Sequence, residues 1–125
     1  MRTFGRLRGD AHLRSSIHSS IAGLKAAWKK DAALRRAVIL AMVLVPSGLW
    51  LGASAVERAL LVASALFVLT IEILNCALET TVDRIGSEEN NLTAMAKDLG
   101  AAASLLSVLT LLVIWGLIIY GRVAA

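Results

Sequence analysis

The sequence is short of the residues that usually mark a small soluble domain. Among its 125 residues are one cysteine (Cys76), one proline (Pro46) and 5% aromatics. A single cysteine excludes a disulfide framework and any multi-cysteine zinc site. Charge is also scarce, at 18% of residues against about 25% in soluble domains. There is no Walker P-loop and no protein-kinase glycine loop, and neither a repeat nor a low-complexity tract. In their place stands apolar surface: 58% of residues are hydrophobic, and the mean hydropathy is +0.73. That excludes a disordered chain and argues against an ordinary soluble domain. The length suits one domain.

The net charge of +4 is unevenly placed. Nine of the 13 Lys and Arg residues precede residue 37: Arg2, Arg6, Arg8, Arg14, Lys25, Lys29, Lys30, Arg35 and Arg36. Arg58, Arg84, Lys97 and Arg122 are scattered beyond. Three apolar runs follow the basic third. Ala37–Ala55 and Leu99–Gly121 carry no charge, and Ala59–Val82 carries only Glu72 and Glu79. A helix of about 20 residues spans a bilayer core, so each run is long enough. The first run begins too deep in the chain for a signal peptide, and two more follow. The positive-inside rule predicts a cytoplasmic N-terminus, a cytoplasmic loop around Arg84–Lys97 and an outer C-terminus. In a Gram-negative-type cell the membrane is the inner one.

Ahead of the first run, Leu13, Ile17, Ile21, Leu24 and Trp28 recur at helical spacing, with His12, Arg14, Ser15, Ser16, Ser19, Lys25 and Lys29 opposite. Such a helix can lie in the headgroup plane. The expected architecture is therefore a single all-α membrane domain. Residues 1–12 form a flexible basic tail and 13–29 a surface helix, with spans at about 37–53, 58–82 and 98–121. Pro46 should bend or disturb the first span, and a short turn around Gly52–Glu57 joins it to the second.

Glu72, Asn75, Glu79 and Asp83 carry the chemistry. At 100° per residue they fall within about 80° of one another, on one narrow face of the second span. An ionisable residue inside a span is costly, and four polar groups on one stripe exceed what packing requires. The stripe ends on the charged loop Asp83–Leu92 rather than crossing the bilayer, and the other spans offer no matching charges. That favours a site at the cytoplasmic interface over an ion path. Acids gathered beside Lys97 are the ingredients of a magnesium–nucleotide site, because Mg²⁺ takes one or two carboxylates plus substrate phosphates. Cys76, beside the stripe, reads as a small packing residue. Gly100 with Ser104, and Ala103 with Ser107, read as small contacts between helices. His12 and His18 read as interfacial polar residues rather than metal ligands.

The run Glu72-Ile73-Leu74-Asn75, then Ala77, Glu79, Val82-Asp83-Arg84-Ile85-Gly86-Ser87-Glu88 and Ala96-Lys97-Asp98, closely resembles the signature of the prokaryotic integral-membrane diacylglycerol kinases. The likeness extends to Gly23-Leu24-Lys25-Ala26-Ala27-Trp28 and Arg58, and covers about residue 12 to the C-terminus. It implies a homotrimer with composite sites between subunits, each with a surface helix and three spans. It implies transfer of the γ-phosphoryl of MgATP to the primary hydroxyl of diacylglycerol, giving phosphatidic acid. Glu72 matches the catalytic base, and Asp31 and Glu79 match the metal carboxylates. His12, Ser19, Asp31, Glu79, Glu88, Asn90, Lys97 and Asp98 fall at nucleotide positions. Ser16, Ile21, Lys25, Trp28, Arg58, Glu72, Asn75 and Ala101 fall at lipid-substrate positions.

The residues themselves agree with this assignment. A lipid hydroxyl at the interface needs a base that is close and poorly solvated, as Glu72 would be. The departures cluster on the nucleotide side and the surface helix. Asp31 stands where the family usually has Glu, Ala37 replaces a further acid, His12 replaces an arginine and Ser19 a tyrosine. Arg14 offers a replacement charge. Two other readings stand beside it: an undecaprenol kinase of the same fold, and an ion-coupled membrane protein with Glu72 as relay, against which the uncharged outer end of the stripe weighs. A non-catalytic scaffold would not need Lys97 and Asp98 beside four aligned acids.

Overall fold

Apolar periodicity without strand-forming breaks gives helices throughout the described chain. A computed structural model describes residues 9–86 and 91–124, with side chains from residue 12 onward. It contains α1 (Gly9–Lys30), α2 (Ala32–Leu51), α3 (Ala55–Ile85) and α4 (Asn91–Ala124). The last three are long and apolar enough to cross a membrane. The chain divides into two units, residues 1–32 and 33–125.

In the first unit, α1 begins at Gly9, so residues 9–12, expected as part of the flexible tail, are helical instead. Lys29 and Lys30 occupy its last turn, where positive charge meets the negative end of the helix dipole. The Asp31 N–H closes that turn on the Ala27 carbonyl at 2.8 Å. Leu13, Ile17, Ile21, Leu24 and Trp28 are all exposed within this unit.

In the second unit the helices overrun the apolar sequence. The second span was expected over about 58–82, yet α3 runs from Ala55 to Ile85; the third was expected from about 98, yet α4 starts at Asn91. The apolar run fixes only the length that needs lipid, and the backbone ladder continues while no residue breaks it. α2 also continues through Pro46 to Leu51. Proline removes one ladder donor without ending the helix there.

The α2–α3 connection is a built turn. Ser54 caps α3, its hydroxyl accepting from the Glu57 N–H at 3.2 Å, and Glu57 Oε1 accepts from the Ala53 N–H at 3.4 Å. This is a variant of the capping box. Gly52 lets the chain pass Arg58 closely: a Cβ at Gly52 would stand 2.8 Å from the Arg58 backbone nitrogen. Two arginines then serve carbonyls where α2 ends. Arg58 Nε donates to Gly52 O at 3.1 Å, and the Arg122 guanidinium at the end of α4 donates to Leu51 O. Such carbonyls lack ladder partners, and cations beside them are favourable.

α3 and α4 form an antiparallel hairpin with a two-part seam. The half next to the α2–α3 turn is apolar: Ala65, Val68 and Leu111 are buried, with Leu44, Val45 and Trp115 packed against them. The Trp115 indole donates to Ser64 Oγ at 3.0 Å. On α4 the seam follows Thr93, Lys97, Gly100, Ser104, Ser107, Leu111 and Trp115, steps of three and four, as in left-handed helix packing. Outside the seam most large apolar side chains are exposed, including Leu105, Leu106, Leu112, Val113 and Leu117. That surface requires an apolar surrounding.

Gly52→Ala should lower the thermal midpoint of the detergent-purified protein, with a cost of about 1–3 kcal/mol from backbone displacement. An unchanged midpoint would show that the turn does not need the close approach.

Candidate active site

The half of the α3–α4 seam away from the α2–α3 turn is polar, and the acidic stripe lies on it. Glu72 is half-buried, and its Oε1 accepts a hydrogen bond from the Ser104 hydroxyl of α4. About one turn closer to the expected cytoplasmic end, Asn75 faces Gly100. A Cβ at Gly100 would collide with Asn75 Oδ1 and stand 3.0 Å from Leu78 Cδ2, so the missing side chain is what admits Asn75. Further along, Asp83 Oδ1 pairs with Lys97 Nζ at 2.7 Å. At the end of the hairpin Gly86 lies against the buried Thr93. Spacings of three and four on both helices bring these groups together in order.

A cleft of ≈ 420 Å³ opens beside Glu72. α2 contributes Ala33, Arg36, Ala37 and Leu40; α3 contributes Val68, Glu72 and Asn75; α4 contributes Ala101, Ser104 and Val108. Its wall is apolar at the Val68–Val108 end and polar around Glu72, Asn75 and Arg36. That division suits a molecule with an apolar body and a polar, hydroxyl-bearing end. Asn75 Oδ1 is buried and accepts no hydrogen bond among the described residues. A buried acceptor left so is costly, so it is an open position for a donor.

The expected site residues divide by location. Glu72, Asn75 and Ala101 line one cleft. Glu79 is half-buried on the same stripe, about 10 Å along the axis from Glu72. Lys97 sits on the seam, paired with Asp83, and Asp98 is exposed beside it. Arg58 is about 21 Å along α3 from Glu72, engaged with the Gly52 carbonyl of the turn. His12, Ser16, Ser19, Ile21, Lys25, Trp28 and Asp31 belong to the first unit, where all but Asp31 are exposed. Glu88 and Asn90 lie outside the described residues.

Two residues of the site were not singled out for it in the sequence. From sequence Ser104 reads as a packing residue; its spacing from Gly100 gives its helix face but not its partner. Arg36 stands in the sequence only as one of the basic residues of the N-terminal third. No pattern within one helix reveals either contact, because both depend on the register between helices.

The chain is similar to known proteins over most of its length. The family model of the prokaryotic diacylglycerol kinases matches residues 18–119. A diacylglycerol kinase of Haemophilus influenzae is 39% identical over 112 residues, covering 90% of this chain and 95% of that protein. One from Pseudomonas aeruginosa is 42% identical over 117 residues, covering 91% and 95%. One from Escherichia coli K12 is 40% identical over 100 residues, covering 80% and 82%.

Asn75→Leu keeps the branched shape and removes a buried acceptor without a partner. It should leave the thermal midpoint unchanged or raise it, because no hydrogen bond is lost. A fall of several degrees in detergent would mean that Oδ1 is satisfied in the folded protein.

Proposed function

Since the chain belongs to the prokaryotic diacylglycerol kinase family, we propose that it transfers the γ-phosphoryl group of MgATP to the primary hydroxyl of diacylglycerol, giving phosphatidic acid. The observation that carries this reading is the placement of Glu72. It lies in an apolar, membrane-length helix, on the wall of a cleft with one apolar and one polar end. A carboxylate there serves a substrate that comes from the lipid side and reacts at its polar head.

The reaction follows from the residues. The lipid hydroxyl enters the polar end of the cleft and gives its proton to the Glu72 carboxylate as its oxygen attacks Pγ. The bond from Pγ to the β–γ bridging oxygen breaks, and ADP leaves with that oxygen. Glu72 then returns its proton to solvent. Lys97, which pairs with Asp83 in the seam, supplies positive charge for the nucleotide phosphates. Asp98, Glu88 and Asn90, with His12 and Ser19, complete the nucleotide side of the proposal.

Among the described residues no three His, Cys, Asp or Glu side chains cluster as a metal cage. Mg²⁺ does not require one: it binds through one or two carboxylates, with phosphates and water filling its octahedron. Glu79 would supply one such carboxylate, and the family resemblance proposes Asp31 as another. A bound Mg²⁺ would neutralise phosphate charge as it develops during transfer.

The family resemblance further supports a homotrimer with sites shared between subunits. The apolar residues of α1 suit a helix lying in the headgroup plane, which puts Ser16, Ile21, Lys25 and Trp28 at the lipid side. The basic N-terminal third supports an inner-membrane orientation with the N-terminus in the cytoplasm. A reporter fused after Ala125 should then be active only outside; activity of that fusion in the cytoplasm would overturn the orientation.

The activity itself is tested with purified protein and γ-labelled ATP, offered diacylglycerol and undecaprenol side by side. Label should pass to diacylglycerol; transfer to undecaprenol alone would reassign the acceptor. Glu72→Gln should cut transfer by roughly 10²-fold or more while MgATP affinity persists. Glu79→Gln should instead raise the Mg²⁺ requirement, since an amide is a poor ligand. A near-normal rate in Glu72→Gln would remove the base from the mechanism.

A further inference from the structure

Seven hydroxyls of α2, α3 and α4 show a default from which Ser104 departs. Ser47, Thr70, Thr80, Thr81 and Thr110 each donate to the carbonyl four residues earlier, at 2.7–2.8 Å. Ser64 and Ser107 donate to the carbonyl three residues earlier. This is how a hydroxyl in an apolar helix is ordinarily satisfied. Ser104 instead reaches across the seam and donates to Glu72 Oε1. Its own carbonyl accepts from Ser107 Oγ at 2.7 Å, and Ser107 is fully buried, which ties that turn of α4 in place. Among the residues lining the cleft, Ser104 carries the only hydroxyl.

From this we infer that Ser104 is a positioning residue for Glu72, an inference that rests on Glu72 being the base. A glutamate has three side-chain torsions, and among the described residues Ser104 is the side chain that hydrogen-bonds its carboxylate. The Ser104 hydrogen bond fixes one carboxylate oxygen on the α4 side of the cleft. Oε2 is thereby the oxygen left to take the proton of the acceptor hydroxyl. Ser104 itself exchanges no proton with substrate; it sets where the base stands. Its part is the geometric one, in which a displacement of about 1 Å can cost up to 10²-fold in rate.

The test is a double-mutant cycle on the purified full-length protein, with labelled ATP and diacylglycerol. Ser104→Ala should lower kcat about 10-fold with both KM values unchanged, because neither substrate loses a contact. In a Glu72→Gln background the same substitution should change the residual rate less than twofold, because there is no longer a base to position. Equal losses in both backgrounds would show that Ser104 supports the fold rather than the base. A normal kcat in Ser104→Ala would also overturn the inference, as would a rise in KM without loss of kcat. The base reading fails separately: Glu72→Gln with near-normal rate removes it, whereas an inactive Glu72→Gln beside a normal Ser104→Ala removes only the role of Ser104.

Discussion

A carboxylate in an apolar helix must find polar company within the protein, because the bilayer core offers none. Much of the second unit follows from that requirement at Glu72. The helix facing it cannot present only leucines; it supplies Ser104 at the level of Glu72 and Gly100 at the level of Asn75. Small residues serve twice here. They let the α3 and α4 backbones approach closely, and they leave the space that the cleft occupies. Bulkier residues on this face would exclude the polar groups that make the site.

The seam is thus divided in its work. Ala65, Val68, Leu111 and Trp115 form its apolar half, next to the turn where Arg58 and Arg122 serve the last carbonyls of α2. The other half carries Glu72, Asn75, Asp83 and Lys97. The exposed Asp83–Lys97 pair contributes at most about 1 kcal/mol of stability. Asn75 Oδ1 contributes none as it stands. Fold stability is therefore concentrated away from the chemistry. The reactive half can hold an unsatisfied acceptor because the apolar half and the capped turn keep the hairpin together.

What was legible in the sequence was whatever a single helix displays. Run lengths gave the three membrane-length helices, and angular spacing put Glu72, Asn75, Glu79 and Asp83 on one face. The motif residues pointed to the family that the comparison establishes. Contacts that depend on register between helices were not legible. Ser104 looked like a packing serine because nothing around it in sequence names Glu72, 32 positions away. Arg36 sat among other basic residues and gave no sign of lining the cleft. Arg58, expected on the lipid side, also turns out to serve a backbone carbonyl. Helix ends are not legible because hydropathy marks where lipid is needed, not where a helix stops: Gly9–His12, Asp83–Ile85 and Asn91–Lys97 are helical beyond the expected spans and surface helix.

The departures from the family pattern gain meaning from the cleft. Ala37, where the resemblance implies a further acid, lines it beside Arg36. Without an acid there, the α2 wall carries a guanidinium and small or apolar side chains, and Glu72 is the only carboxylate among the described lining residues. Among those residues one charge of each sign lines the cleft. In the proposed reaction a neutral hydroxyl-bearing head would meet no net repulsion on entering, and the anionic product would leave past a cation. In the proposed reaction the single acid also leaves no ambiguity about the base. Where two carboxylates share a site, one proton can rest on either; among the described lining residues Glu72 alone is a carboxylate, and the Ser104 hydroxyl bound to Oε1 leaves Oε2 as the proposed acceptor of the proton.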